Sequence, residues 1–366
     1  MNKEFSLDLL EKDSDYLEFL TDVSNKNPND RPIVLFGAGA WGVCCYSAIE
    51  KYFKTVLFCD NNPDKWGTTL IGVPIISLDS LKNIYTESNI IITSLDYYDQ
   101  ILQQLTEHGM QDRVLQQLKG FTHLGFADYY NTVSKHKADF EKTYSLLADD
   151  YSRQIFFNRI NSCITANNKY LFPLRSNSPQ YFEDGIVKLS GNEIFVDGGA
   201  YTGDTVEEFL QQTEGKFEKI YSFEPEDSKH LEFHHKFSNN QKIELIPYGL
   251  WKENDILKFD ALDNGSSGVN EEGGIEIKVV SIDDTLKDTP VTFIKMDIEG
   301  SELEALEGAE QTIRRYKPKL AICIYHKPLD IVQIPLFLKE IVPEYKIYIR
   351  HYSVGIGETV CYAIAE

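Results

Sequence analysis

Asp197-Gly198-Gly199-Ala200-Tyr201-Thr202-Gly203-Asp204-Thr205 is the stretch whose reading decides the fold. It follows a short apolar run, residues 194–196, and opens a segment with helical spacing. Glycines at these points permit positive φ and let the backbone approach a ligand closely. A helix N-terminus beyond such a turn favours negative groups such as a carboxylate. Asp197 ends the first strand with an acid, and Glu224 ends the next, 21 residues after Gly203. A carboxylate at that second strand end can accept both hydroxyls of a ribose.

The turn lacks the G-x-G-x-x-G of a dinucleotide site, and no P-loop lysine accompanies it. An acid at the first strand end suits a cationic, amine-bearing ligand better than a pyrophosphate. S-adenosylmethionine (SAM), with its sulfonium, amine and ribose, meets those demands.

Working outward, further strands are expected over residues 220–223, 243–246, 293–296 and 320–325, with a helix over 301–316. Alternating segments at 345–349 and 359–365 close the chain as an antiparallel hairpin. A similar series precedes it: strands at 33–36, 55–59 and 89–93 and a helix at 97–108. Strands alternating with helices imply parallel sheets with right-handed crossovers, so the fold class is α/β with two doubly wound, Rossmann-like domains. The expected division is 1–123 for the N-terminal domain, 124–189 for a helical and irregular connector, and 190–366 for the C-terminal domain. Within these, 7–23 reads as an amphipathic helix, 139–161 as helical and 166–185 as irregular.

Three segments in order carry a family resemblance. They are Val196-Asp197-Gly198-Gly199-Ala200-x-x-Gly203, then Phe223-Glu224-Pro225, then Ile294-Lys295-Met296-Asp297-Ile298-Glu299-Gly300-Ser301-Glu302. Together they resemble the FkbM family of SAM-dependent methyltransferases. Val280-Ser281-Ile282-Asp283-Asp284 and Gly308-Ala309 fit the same pattern, and the resemblance spans roughly residues 180–366. It implies a class I SAM methyltransferase sheet ending in the hairpin, SAM as cofactor, and methyl transfer to oxygen. Carried over by position, Asp197, Gly199 and Gly203 line SAM, Glu224 binds its ribose, and Gly198, Ala200, Tyr201, Asp204 and Thr205 complete the cofactor-binding set. Tyr201 departs from the small or amide residue common there, which leaves the backbone turn intact but not the role of its side chain.

Methyl transfer from a sulfonium is an in-line displacement, so the enzyme mainly supplies alignment. A hydroxyl acceptor holds its proton tightly, and a base or a metal would help. The later strands end at Asp297 with Glu299 close behind, at Tyr325-His326-Lys327, and at Arg350-His351. Asp297, Glu299, His326 and His351 are therefore the catalytic candidates, with His326 or Asp297 as base and Asp297 also placed to meet the SAM amine. Bland readings stand beside these: Glu299 as a helix cap, His326 on a carbonyl, His351 structural. No metal site is assigned, and the alternative left open is a divalent ion on Asp297, Glu299 and a histidine. Lys295 alternates with Asp297 along the strand and reads as a surface or pairing residue. Gln180, Tyr181 and Phe182 read either as a lid over SAM or as a staple of the connector to the core.

In the front half, Gly37-Ala38-Gly39-Ala40-Trp41-Gly42 is a complete G-x-G-x-x-G, and Asp60 ends the next strand 18 residues after Gly42. Gly37, Gly39, Gly42 and Asp60 form a second candidate nucleotide site, directly read as NAD. The run from Asp60 to Gly67 and on through Gly72-Val73-Pro74-Ile75 is similar to small Rossmann-like domains of carbohydrate-modifying enzymes. That leaves a nucleotide-sugar, another nucleotide, or a purely structural domain open.

Composition sets the outer bounds. The 366 residues carry a net charge of -21, from 36 basic and 57 acidic residues, which repels nucleic acid and anionic lipid. Six cysteines form no C-x-x-C pair, residues 1–15 show no signal-peptide core, and no apolar run approaches the ~18 residues of a membrane span, so a reducing cytoplasm is the expected location. The function read from all this is O-methylation by SAM of a sugar, glycan or related hydroxyl-bearing small molecule. The sugar reading rests on the front domain. The alternatives are an NAD(P)-dependent oxidoreductase using Gly37 to Gly42, and a non-catalytic SAM- or nucleotide-binding module.

Overall fold

Ile33, Val34, Leu35 and Phe36 are all fully buried, so strand β1 (Ile33–Phe36) has no solvent face and lies inside a sheet covered on both sides. The computed structural model describes residues 4–12, 27, 30–50, 53, 56–94, 97–115, 129–165, 167–260, 268–269 and 275–365. β1 pairs in parallel with β2 (Val56–Cys59) on one side and β5 (Asn89–Ile92) on the other. With β3 (Thr69–Leu70) and β4 (Val73–Ile76) the sheet order is β3-β4-β2-β1-β5, where only β3 runs antiparallel. Helix α1 (Ala40–Ile49) covers one face through Cys45 and Ile49. Helices α2 (Leu78–Asn83) and α3 (Tyr98–Glu107) cover the other through Leu81, Ile101 and Leu105. The sheet is therefore wound on both faces.

The middle of the chain departs from the expected single helix over 139–161. It forms α4 (Tyr129–Lys135), α5 (Lys137–Leu146) and α6 (Asp150–Thr165). The break has a cause: Leu147 turns extended and bridges Ile347, and the Ala148 N–H donates to the Ile347 carbonyl at 2.8 Å. A strand-like contact displaces one helical turn. The helix expected over 7–23 is replaced at its start by a 3₁₀ turn, Leu7–Leu9, capped by Ser6; residues 13–23 lie outside the described residues.

The second series runs β6 (Ile194–Gly198), α7 (Asp204–Gln212), β7 (Lys219–Phe223), α8 (Asp227–Phe237) and β8 (Ile243–Ile246). A small sheet follows, unanticipated from sequence: β9 (Gly249–Leu250), β10 (Asp255–Asp260), β11 (Gly268–Val269) and β12 (Ile275–Val280), in the order β11-β10-β12-β9. Then come α9 (Ile282–Leu286), β13 (Phe293–Met296), α10 (Glu302–Glu307), α11 (Glu310–Tyr316), β14 (Lys319–Cys323), α12 (Asp330–Ile341), β15 (Lys346–His351) and β16 (Thr359–Ile364). The large sheet has the order β15-β16-β14-β13-β6-β7-β8. Its central strands are parallel, and β16 inserts antiparallel between β14 and β15 as the closing hairpin requires.

Stacked rings lock its first crossover. Phe195 of β6 lies 4.6 Å from Phe209 of α7 and 4.9 Å from Phe293 of β13, both nearly parallel. Burial of each such ring contributes about 1.5–3 kcal/mol. Strand order reverses between β6 and β13, and a crevice outside the carboxyl ends of those two strands is where such sheets hold ligands. No helix among the described residues is long and apolar enough to cross a membrane.

Candidate active site

The glycine turn leaves β6 at that reversal. Gly199 takes φ +73°, and a Cβ there would lie 1.9 Å from the Asp297 carbonyl oxygen, so only glycine lets β6 and the end of β13 meet this closely. Gly203 takes φ +89° as the residue before α7, and its N–H donates to the Ala200 carbonyl at 2.7 Å. The N–H groups of Gly199 and Ala200 both donate to the Phe223 carbonyl at 3.0 Å. Ala200 and Thr205 are buried, Asp204 is exposed in the first turn of α7, and Tyr201 is half exposed with Lys229 Nζ 4.4 Å above its ring.

Glu224, just beyond β7, grips the turn. One carboxylate oxygen accepts the Tyr201 N–H at 2.8 Å and the other accepts the Glu226 N–H at 2.8 Å. Burial raises its carboxyl above the usual range, against those two N–H donors. A carboxylate offers about four lone-pair positions, so roughly two remain, one on each oxygen.

Asp197 is fully buried and does not open onto the crevice as the sequence reading had it. It pairs with Lys295, Nζ to Oδ1 at 3.1 Å. Lys295 is itself 2% exposed, which corrects the surface half of its sequence reading and bears out the pairing half. Its Nζ also donates to the Gly198 and Gly199 carbonyls, at 3.1 and 2.8 Å. Burial pushes the Asp197 carboxyl up to about 6 against the pull of Lys295. The signal was present in sequence: a lysine inside the otherwise apolar Phe293-Ile294-Lys295-Met296 run has no route to water and must find an anion.

On the β13 side a second group assembles. Asp297 accepts the Tyr181 hydroxyl at 2.9 Å on Oδ2 and the Tyr325 hydroxyl at 3.0 Å on Oδ1. His326 Nε2 lies 3.4 Å from Asp297 Oδ1 and 3.6 Å from Glu299 Oε2, while its Nδ1 lies 3.0 Å from Glu302 Oε1. Burial alone would lower the His326 imidazolium, but Glu302, Asp297 and Glu299 outweigh it and hold it up to about 10. A base must be unprotonated, so His326 in this form is not one. Burial raises Asp297 too, yet His326, Lys295 and the two tyrosine hydroxyls bring it below the usual range. Burial pushes Glu299 up to about 7. Glu299 does not cap the following helix; Glu302 takes the local backbone donor instead, accepting the Ile298 N–H at 2.9 Å. Sequence reasoning missed Glu302, Tyr325 and Glu358, which accepts from Gln180 and whose Oε1 lies 3.2 Å from the Tyr325 hydroxyl. Tyr181 is both staple and site residue, since its N–H donates to the Tyr362 hydroxyl and its own hydroxyl reaches Asp297.

His351 is not drawn into this group. It is fully buried, its Nδ1 lies 2.9 Å from Thr359 Oγ1, and burial lowers it to about 3. A ring held neutral inside a hairpin serves packing, which corrects its place among the catalytic candidates.

In the front sheet, Asp60 is engaged by the protein itself. Its Oδ2 accepts the Ala38 N–H at 2.9 Å and Lys65 Nζ at 3.0 Å, and its Oδ1 accepts the Asn62 N–H at 2.8 Å. Lys65 thus stands beside the carboxylate read as the ribose acceptor. Gly37 and Gly42 are required by packing, since a Cβ would come within 2.9 Å of Ser94 N and 2.3 Å of the Gly37 carbonyl respectively. Gly39 faces open space. Asp60→Ala should therefore lower the stability of the full chain by about 1–3 kcal/mol by stranding these donors. SAM affinity should not change; an unaltered thermal melt would refute the clamp.

The turn, Glu224, Asp297, Glu299, Glu302 and His326 all fall within one matched stretch. Residues 197–345 match the methyltransferase FkbM domain. Residues 29–115 match the C2185-like N-terminal domain. The crystal structure of methyltransferase FkbM from Methylobacillus flagellatus superposes with a TM-score of 0.64 at 25% identity, over 94% of this chain and 93% of its own. An rRNA methylase from Streptococcus thermophilus aligns at 17% identity and TM-score 0.32, over 49% of this chain and 90% of its own. Fibrillarin from Aeropyrum pernix, solved with natively bound S-adenosyl-L-methionine, aligns at 11% identity and TM-score 0.32, over 49% and 70%. None of the curated proteins matches the chain. The region that matches the FkbM domain thus has the α/β fold, with a mainly parallel sheet, of the methyltransferase it superposes on, and the antiparallel hairpin expected from sequence follows it over 346–364.

Proposed function

We propose that the protein transfers the methyl group of SAM to a hydroxyl of a sugar, glycan or related small molecule. The observation that carries the reading is the Glu224 clamp on the Gly199 to Gly203 turn at the strand-order reversal. It leaves two acceptor positions for two ribose hydroxyls, beside a helix N-terminus suited to the SAM carboxylate. The sulfonium would face the acid-rich side around Asp297, and the acceptor would enter between Asp297 and Glu299, the more exposed carboxylates of that group.

Isothermal titration with SAM tests the pocket. Glu224→Ala is expected to weaken SAM binding by about tenfold or more, the worth of charge-assisted hydrogen bonds. Equal affinity in wild type and variant would sink the assignment. Release of S-adenosylhomocysteine across a panel of hydroxylated saccharides tests the acceptor class; turnover on amines alone would count against oxygen. The engagement of Asp60 by Lys65 and Ala38 favours a structural front sheet over a nicotinamide site.

A further inference from the structure

Three charged side chains from three elements meet beyond the ends of β13 and β14. Asp297 follows β13, Glu302 is the first residue of α10, and His326 lies just past β14. Each offers a ligand atom within 4.8 Å of the other two. Glu299 adds a third carboxylate, 3.6 Å from His326 Nε2.

The group contains an unmet demand. Glu302 is 1% exposed, and its Oε2 is buried without a hydrogen-bond partner. Neither His326 nitrogen makes a well-formed hydrogen bond, although both face carboxylates. A buried carboxylate oxygen left without a donor is unfavourable by about 1–3 kcal/mol or more. Nearby cations are committed elsewhere. Lys295 is held by Asp197 and two carbonyls, and Lys327 turns outward to Glu304. Asp330, whose carboxylate accepts the Lys327 N–H, and Glu358, whose Oε1 lies 3.2 Å from the Tyr325 hydroxyl, add to the negative charge around His326.

We propose that Asp297, Glu302 and His326, with Glu299 at the mouth, bind one divalent cation. Two adjacent donors each about 2.1–2.4 Å from one octahedral cation lie about 3.0–3.4 Å apart. The Asp297 to His326 separation is 3.4 Å. Carboxylates with a single imidazole, which must release its proton to the solvent when it ligates, suit a cation of the Mn²⁺ type better than a soft, thiolate-seeking ion. The inference rests on the methyltransferase reading for its purpose. A cation here would lower the pKa of a coordinated acceptor hydroxyl, which specifies an acceptor with an oxygen free to coordinate.

Titration of chelator-stripped, full-length protein with Mn²⁺, followed by calorimetry and by the loss of the free-ion paramagnetic signal, tests the proposal without SAM or turnover. One saturable site per chain is expected, with affinity at least tenfold weaker in His326→Gln and in Glu302→Gln. No saturable uptake by wild type at millimolar Mn²⁺ would overturn the proposal, as would uptake unchanged in both variants. If the variants unfold, the wild-type titration alone decides. SAM affinity of the stripped protein, expected within about threefold of the loaded protein, separates the two readings. Mn²⁺ uptake without SAM binding removes the methyltransferase reading and keeps the cation site; SAM binding without uptake does the reverse.

Discussion

Lys295→Met is expected to lower the unfolding free energy of the full chain by about 3–5 kcal/mol at pH 8, read from denaturant melts. The ammonium meets three oxygens at once, those of Asp197, Gly198 and Gly199, in a place with no access to water. A thioether of similar length keeps the volume and removes every bond. What remains is a buried carboxylate without a counter-charge and the Gly199 carbonyl without its donor, while the Gly198 carbonyl keeps the Asp297 N–H at 3.1 Å.

The deficit should depend on pH in one direction. Asp197 has its carboxyl raised to about 6 from the 3.8 of an unperturbed aspartate. Its protonated form therefore contributes stability that is complete below about pH 4 and lost as pH rises through 6. Without Lys295 the carboxyl rises further, so the variant falls away from wild type mainly above pH 6. At pH 5 only the stranded Gly199 carbonyl should count, about 1–3 kcal/mol. Adding Asp197→Asn to Lys295→Met should recover at least half of the pH 8 deficit, because the neutral amide removes the unpaired charge. Equal deficits at pH 5 and pH 8, with no recovery in the double variant, would show that the pair is not what holds this strand end.

Lys295 also marks the limit of what could be read before the structure. Strands such as Ile33–Phe36, apolar throughout, and Phe293–Met296, apolar but for Lys295, stand out because a run buried on both faces must be almost wholly apolar, and their ends fall where the run ends. The turn at Asp197 was legible for the same reason: glycine and acid are costly at a strand end unless the geometry needs them. The small sheet β9 to β12 was not legible. β9 and β11 have two residues each, too few for a period, and β10 exposes Asp255, Ile256 and Lys258. The helix expected over 301–316 breaks at Gly308 and Ala309, where the backbone packs so close to the Trp251 carbonyl, from a segment more than fifty residues earlier, that a Cβ on Gly308 would lie 2.2 Å from it. The Asp297 group shows the same limit. Strand ends place Asp297 and His326 together, but Glu302 and Tyr181 join them only through a left-handed Glu299 and Gly300 and through a connector folded back onto the hairpin. Long-range contacts of this kind leave no local period.

The sharpest test of the turn compares two glycines that look alike in sequence. Gly199→Ala is expected to weaken SAM binding at least a hundredfold and to lower the melting temperature by several degrees, while Gly39→Ala in the front turn should leave SAM binding unchanged. At Gly199, φ is +73°, a conformation that is unfavourable by about 1–2 kcal/mol for alanine. The added methyl would also sit 1.9 Å from the Asp297 carbonyl oxygen, which is backbone and cannot rotate away. Relief requires β6 and β13 to part at their carboxyl ends, and that motion shifts the Tyr201 N–H held by Glu224 together with the Asp297 carboxylate. Both sides of the proposed pocket move at once. Gly39 has φ -134° and nothing within 4 Å of its missing methyl, so alanine there loses only a favourable helix-capping residue, at most about 1 kcal/mol. Calorimetry with SAM on both variants decides: retention of affinity within tenfold by Gly199→Ala would mean that the ligand does not depend on the closeness of those two strand ends, and the site would have to be sought elsewhere.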